Sequence, residues 1–167
     1  ANYSISFHLR GVKILIEEIA PRVFRLAGDK IKFHICGAKL PKYLVDKCTE
    51  NLIYEGYVPD VDSFLEEMDA GVFPVMTGKT MKGKVFDSLA RSFPIVISKN
   101  CLGGYRLVDG EGVFIADSVD EFVNKILLLL DPEVRKKLAW GARNFSLNNF
   151  SEEKILSVMD EVLSIKD

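Results

Sequence analysis

Ala70-Gly71-Val72-Phe73-Pro74-Val75-Met76-Thr77-Gly78-Lys79-Thr80-Met81-Lys82-Gly83-Lys84-Val85-Phe86-Asp87-Ser88-Leu89-Ala90-Arg91-Ser92-Phe93-Pro94-Ile95-Val96-Ile97-Ser98 carries, in order, an apolar run, a polar loop, a helical stripe and a second apolar run. Residues 70–75 are nearly continuous in apolar side chains, as a strand buried on both faces requires. In the helix that follows, Met81, Val85, Phe86, Leu89 and Ala90 fall on one side, and 94–98 reads as the next strand. A strand, a helix and a strand in about thirty residues form a parallel crossover unit.

The same alternation continues outward. Upstream, Val12, Leu15, Ile16, Ile19, Val23 and Leu26 recur at helical spacing, with a bend expected at Pro21. Strands are expected at 31–37 and 52–58, each with glycine at or near its end, separated by a short helix over 41–48. Asp60 is placed to cap a helix over 61–68. Downstream, the Asp109-Gly110-Glu111-Gly112 turn precedes a strand at 113–116, and Ser118 with Glu121 forms a capping box for a helix reaching Leu130. Asp131-Pro132 opens another helix, and Ser151 caps a terminal one with the stripe Ile155, Val158, Met159 and Val162. The pattern predicts an α/β domain over 1–167, a Rossmann-like doubly wound parallel sheet with helices on both faces and a helical C-terminal tail. Ligands of such sheets bind beyond the carboxyl ends of the strands, here the segments after Gly37, Val58, Val75 and Ser98.

Composition narrows the function classes. The 167 residues are 48% hydrophobic and 28% charged with a net charge of −2, an ordinary globular balance without the field of a dedicated nucleic-acid binder. Cys36, Cys48 and Cys101 lie far apart, and only His8 and His34 could supplement them, so neither a zinc site nor a disulfide framework is expected. The longest apolar run, 126–130, is far short of a membrane span, and a reducing, cytoplasmic setting is expected. The three Asn-x-Ser triplets at Asn2, Asn144 and Asn149 read as chance occurrences.

The densest chemical feature is Thr77-Gly78-Lys79-Thr80-Met81-Lys82-Gly83-Lys84, where a strand end meets a helix start. It reads either as a solvated turn or as an anion cradle built from backbone N–H groups, helix dipole and lysine charge. A P-loop needs glycine five residues before Gly78, and Phe73 stands there. Asp87 reads either as the partner of Lys84 or Arg91 in an intrahelical ion pair or as an acceptor for ligand hydroxyls. His34, inside a strand, and Trp140, on a C-terminal helix, read as packing residues, and His8 carries no particular signal.

Pro74, Gly78, Lys84-Val85-Phe86-Asp87-Ser88-Leu89-Ala90 and Pro94-Ile95-Val96, in that order and spacing, resemble the motif of retaining glycosyltransferases of the GT-B fold. Pro21, Gly37, Glu55-Gly56-Tyr57-Val58-Pro59-Asp60 and the stretch from Leu107 to Asp117 fit the same order, so the resemblance covers nearly the whole chain. It implies the C-terminal, nucleotide-sugar-binding half of a glycosyltransferase, working with an N-terminal acceptor-binding domain. No cofactor or nucleic-acid partner is implied; the donor would be a UDP-, GDP- or ADP-sugar, and a peripheral membrane acceptor could be reached through the other domain.

On this resemblance Asp87 matches the second Glu of a Glu-x7-Glu pattern and would hold the ribose, one methylene shorter than in the family. The first Glu falls on Lys79, a departure that leaves the donor-sugar contact unassigned. Gly78, Thr80 and Met81 would offer backbone N–H groups to the diphosphate, Lys79, Lys82 and Lys84 would neutralise it, and Tyr57 and Val58 would approach the base. The family's domain opens with a strand that residues 1–7 hardly accommodate, so the chain is expected to be an excised piece, with Arg10-Gly11 as a candidate stand-in for the family's Arg/Lys-Lys-Gly element. No catalytic residue and no metal ligand is identified. A doubly wound binding module without catalysis is the alternative, and a sugar-nucleotide epimerase a weaker third.

Overall fold

The computed structural model describes residues 1–76 and 82–164, with the side chains of Lys82 and Val162 outside that description. Five parallel strands lie in two half-sheets: β1 (Phe33–Cys36) with β2 (Leu52–Gly56), and β3 (Gly71–Phe73), β4 (Ile95–Ser98) and β5 (Phe114–Ala116) in the order β3-β4-β5. All five occur where the sequence predicts strands, trimmed at their ends. The expected continuous sheet is instead divided between β1 and β3.

β4 shows why the apolar runs are unbroken. All four of its residues are buried, with Val96 in one hydrophobic cluster and Ile95 and Ile97 in the other. The sheet therefore has a core on each side. Fully burying each such side chain contributes on the order of 1.5–3 kcal/mol. Val12, Ile16, Ile19 and Val23 join the first cluster and Val85, Leu89 and Val113 the second.

The first helical stretch begins earlier than predicted, as α1 (Ser6–Ile14), and continues through a π-helical turn, Leu15–Ile19, into α2 (Ala20–Ala27). The Ala20 N–H reaches back five residues to the Leu15 carbonyl. Pro21 lacks an N–H and its ring would crowd the carbonyl four residues earlier, so the widened turn accommodates it where a bend was expected. Leu26, counted in the apolar stripe, is 65% exposed because the stripe drifts off the core after Val23.

α3 (Lys42–Val45) and α4 (Val61–Glu66) follow β1 and β2, and Asp60 caps α4 by accepting from the N–H groups of Asp62 and Ser63. α5 (Lys82–Ala90) buries Val85, Ser88 and Leu89. Phe86 and Ala90, expected on that face, are exposed; Phe86 stacks edge-on against Phe150, 5.1 Å away. Ser88 takes the inner position because its hydroxyl donates to the Lys84 carbonyl at 2.8 Å, which removes the cost of burying it.

Ser118 caps α6 (Val119–Leu128) as expected, but the Glu121 carboxylate reaches the N–H of Asp117, one residue before the cap. Asp131 caps α7 (Pro132–Phe150), and the Ser151 hydroxyl accepts from the Lys154 N–H at the start of α8 (Glu152–Ser164). Ile155, Val158 and Met159 of the α8 stripe are exposed, and the Val162 side chain lies outside the described residues. Trp140, read as packing, is 66% exposed on α7, whose buried positions are Leu138 and Ala142.

Candidate functional site

The carboxyl ends of the strands define the candidate site. β1 runs into Gly37, whose φ of 148° favours glycine, and a Cβ there would stand 2.4 Å from the Ala1 carbonyl oxygen. The backbone of residues 1–3 is thereby seated against the end of β1. β2 ends at Gly56, followed by Tyr57, which is 76% exposed, and half-buried Val58. β3 leads through Pro74 and Val75 to Met76.

Two side chains near the end of β4 fix the segment beyond β3. The buried Ser98 hydroxyl donates to the Val75 carbonyl at 2.5 Å, and Asn100 Nδ2 donates to the Met76 carbonyl at 2.6 Å. Gly78, Lys79, Thr80 and Met81, the expected diphosphate contacts, lie outside the described residues, as does the Lys82 side chain. Ser98 and Asn100 were not among the sequence candidates. The available signal was their position at the carboxyl end of a buried strand.

Lys84 and Asp87 both line a cavity of about 870 Å³, together with Ala1, His8 and Gly11. Lys84 stands where its charge acts on two other groups. Burial is the largest cause lowering the pKa of both the Ala1 amine and His8, and Lys84 pushes each further down. The Asn2 carbonyl, 3.0 Å from His8 Nδ1, opposes the shift at His8. The Lys84 ammonium at this cavity favours an anion beside it. α5 has no acidic residue in its first turn, so its positive end and Lys84 are not neutralised within that turn.

Asp87 is exposed, and Arg91, its candidate helical partner, is drawn instead to Asp62 Oδ1 at 2.7 Å. The ion-pair account of Asp87 through Arg91 is therefore replaced by an interhelix pair. Gly11 packs α1 onto the strand end: a Cβ there would lie 3.3 Å from the Pro74 carbonyl oxygen. Tyr57 and Val58 are not among the residues lining this cavity. His34, half-buried as read, holds Glu55 Oε1 at 2.7 Å from its Nδ1. Among the described residues no group of three or more His, Cys, Asp or Glu is placed to hold a metal ion, and no helix is long and apolar enough to cross a membrane.

The chain matches no curated protein sequence. Among solved structures it superposes on TarM with a TM-score of 0.80 at 19% identity, over 96% of this chain and 33% of that one. It superposes on HepE of Anabaena, solved in complex with UDP and glucose, with a TM-score of 0.70 at 16% identity, over 89% of this chain and 44% of that one. The chain thus spans well under two thirds of either, and the likeness establishes the expected parallel α/β fold of the GT-B kind. The model of the glycosyl transferases group 1 family matches residues 4–132, most of the sequence, and the chain belongs to that family.

Proposed function

We propose that this chain is the donor-binding, C-terminal half of a retaining glycosyltransferase that binds a nucleoside-diphosphate sugar and, with an acceptor-binding domain, transfers a hexose to an acceptor hydroxyl. The observation that carries the reading is the Lys84 ammonium lining the cavity at the carboxyl edge of the sheet, on an α5 first turn without acidic residues. In the transfer the bond from the anomeric carbon to the diphosphate oxygen breaks, a bond to the acceptor oxygen forms, and the acceptor proton is released. Negative charge grows on the departing diphosphate, and preorganised cations and N–H groups lower the barrier by meeting it there.

In this reading Lys84, with Lys79 and Lys82, neutralises the diphosphate, and the backbone N–H groups of Gly78, Thr80 and Met81 bind its oxygens. Asp87 accepts from the ribose hydroxyls, and Tyr57 and Val58 approach the base. HepE, a fold neighbour, was solved with UDP and glucose, which makes the uridine diphosphate the first nucleotide to try. The free thiols of Cys36, Cys48 and Cys101 suit a reducing, cytoplasmic setting.

Calorimetric titration with UDP, GDP and ADP at low and moderate salt tests the proposal. Selective binding of one nucleotide, weakened by salt and lost in a Lys82→Ala/Lys84→Ala variant, is the expected result. Equal affinity of the variant and the parent chain would refute the role given to these lysines.

A further inference from the structure

The two sides of α7 differ in kind. On the inner side Leu138 is buried in the first cluster, Ala142 is buried in the second with Phe145 packed beside it, and Gly141 meets the Gly112 turn. These contacts fix the rotation of the helix. On the outer side, Lys136, Lys137 and Arg143 stand three or four residues from Trp140, and Glu133 and Leu147 stand seven from it, so helical periodicity gathers all six into one stripe. Every one of the six is exposed.

The stripe departs from the rest of the chain in charge. It carries three cations against one carboxylate, on a chain whose net charge is −2. Glu133 holds Lys136 at 2.7 Å, whereas among the described residues no ion pair or hydrogen bond engages the side chain of Lys137 or Arg143. In their midst lies the single tryptophan of the sequence, 66% exposed, with Leu147 two turns further along. An isolated exposed apolar residue is common on protein surfaces. An indole ringed by cations is instead the composition of a helix face that rests in the headgroup layer of an acidic bilayer.

The surroundings favour a lipid surface over a protein partner. None of the six residues lines the large cavity, so the stripe is the outer surface of a helix and not the wall of a pocket. A protein anchored by tryptophan buries it in a desolvated apolar pocket, and the neighbours of Trp140 on this stripe are charged. A bilayer interface takes the ring and its N–H together, and its anionic headgroups meet all three cations at once.

We propose that the outer face of α7 docks on an anionic lipid surface, with Lys136, Lys137 and Arg143 at the headgroups and Trp140 and Leu147 in the interfacial layer. The inference is independent of what binds at the strand ends.

Trp140 itself reports the contact, since no other tryptophan contributes to the emission. The 167-residue chain is titrated with vesicles of phosphatidylcholine containing about one third phosphatidylserine, and with vesicles of phosphatidylcholine alone, at low and high salt. Anionic vesicles should shift the emission to the blue and sediment the protein, more weakly at high salt. Each basic residue near such a surface is worth about fivefold in affinity, so Lys137→Ala/Arg143→Ala should bind about 25-fold more weakly. Arg22→Ala/Arg25→Ala, which removes the same charge from α2, should bind within about twofold of the parent chain. No blue shift with anionic vesicles, an equal shift with neutral ones, or an equal loss in the two variants overturns the proposal. A shift of the same size with polyglutamate in place of vesicles overturns the assignment to lipid and points to an acidic polypeptide.

Discussion

Replacing Gly141 with alanine sets two effects of known size against each other. Gly141 lies inside α7, where alanine would be favoured over glycine by about 1 kcal/mol through helix propensity alone. An ideal Cβ there, however, would stand 2.5 Å from the Gly112 nitrogen, 2.9 Å from its Cα and 3.0 Å from the Glu111 carbonyl carbon. All three are backbone atoms, so no rotamer change relieves the clash, and α7 must retreat from the turn. Overpacking of this kind costs about 1–3 kcal/mol, and backbone-on-backbone contact puts this case at the upper end. Retreat also loosens Leu138 and Ala142, both buried on the same helix. The net expectation is a loss of about 1–2 kcal/mol, measured by urea denaturation followed by far-UV circular dichroism. Gly83→Ala in α5 is the control. Among the described residues nothing lies within 4 Å of the added Cβ, so helix propensity sets the expected gain of about 0.5–1 kcal/mol. A Gly141→Ala protein as stable as the parent, with Gly83→Ala behaving as stated, would refute the close docking of α7 on the Gly112 turn.

Gly112→Ala should cost more than Gly141→Ala in the same assay, because the φ of 97° and a Cβ 2.6 Å from the Ala142 nitrogen act together. Lys84→Ala should weaken the nucleotide diphosphate by about 1.5–3 kcal/mol, the size of a charge-assisted hydrogen bond, and Asp87→Ala by about 1–3 kcal/mol; calorimetric titration reads both. Burial, with help from Lys84, holds the pKa of His8 below its ordinary 6.5, so the unfolded chain protonates first as the pH falls. The stability contributed by neutral His8 is therefore complete above about pH 6.5 and declines below it, and His8→Gln should flatten that limb of the stability profile. Lys84→Ala should move the His8 titration, followed by NMR, upward; an unmoved midpoint would separate the two groups.

The fold was readable where a single element carries its own signal. The unbroken apolar runs at β3 and β4 require cover on both faces, and that cover is present for β4 as two clusters meeting at Ile95, Val96 and Ile97. The caps Asp60, Ser118 and Asp131 stand where they were read, because capping is decided within three residues of chain. Errors occur where an apolar residue had to choose between faces. Leu26, Phe86 and Trp140 are apolar and exposed, and periodicity alone does not say which neighbour a helix meets. The division of the sheet between β1 and β3 is likewise a relation between distant segments, with no local signature.

The candidate site divides along the same line. Lys84 and Asp87 are three residues apart on one helix, and that spacing alone brings them to a common side. His8 gave no signal, because its nearness to Lys84 depends on α1 packing onto the end of β3 through Gly11, a contact that joins residues far apart in the chain. The same packing gives Lys84 its chemistry. On an isolated helix its ammonium would be a solvated charge opposed to the dipole; beside His8, whose pKa burial lowers, and the end of β1 it is a cation facing a cavity. Sequence reading supplies the charges and the strand ends that carry them. Whether those charges act on one ligand is decided by tertiary contacts, which is why a Lys84→Ala effect on His8 titration tests the site more directly than a loss of binding alone.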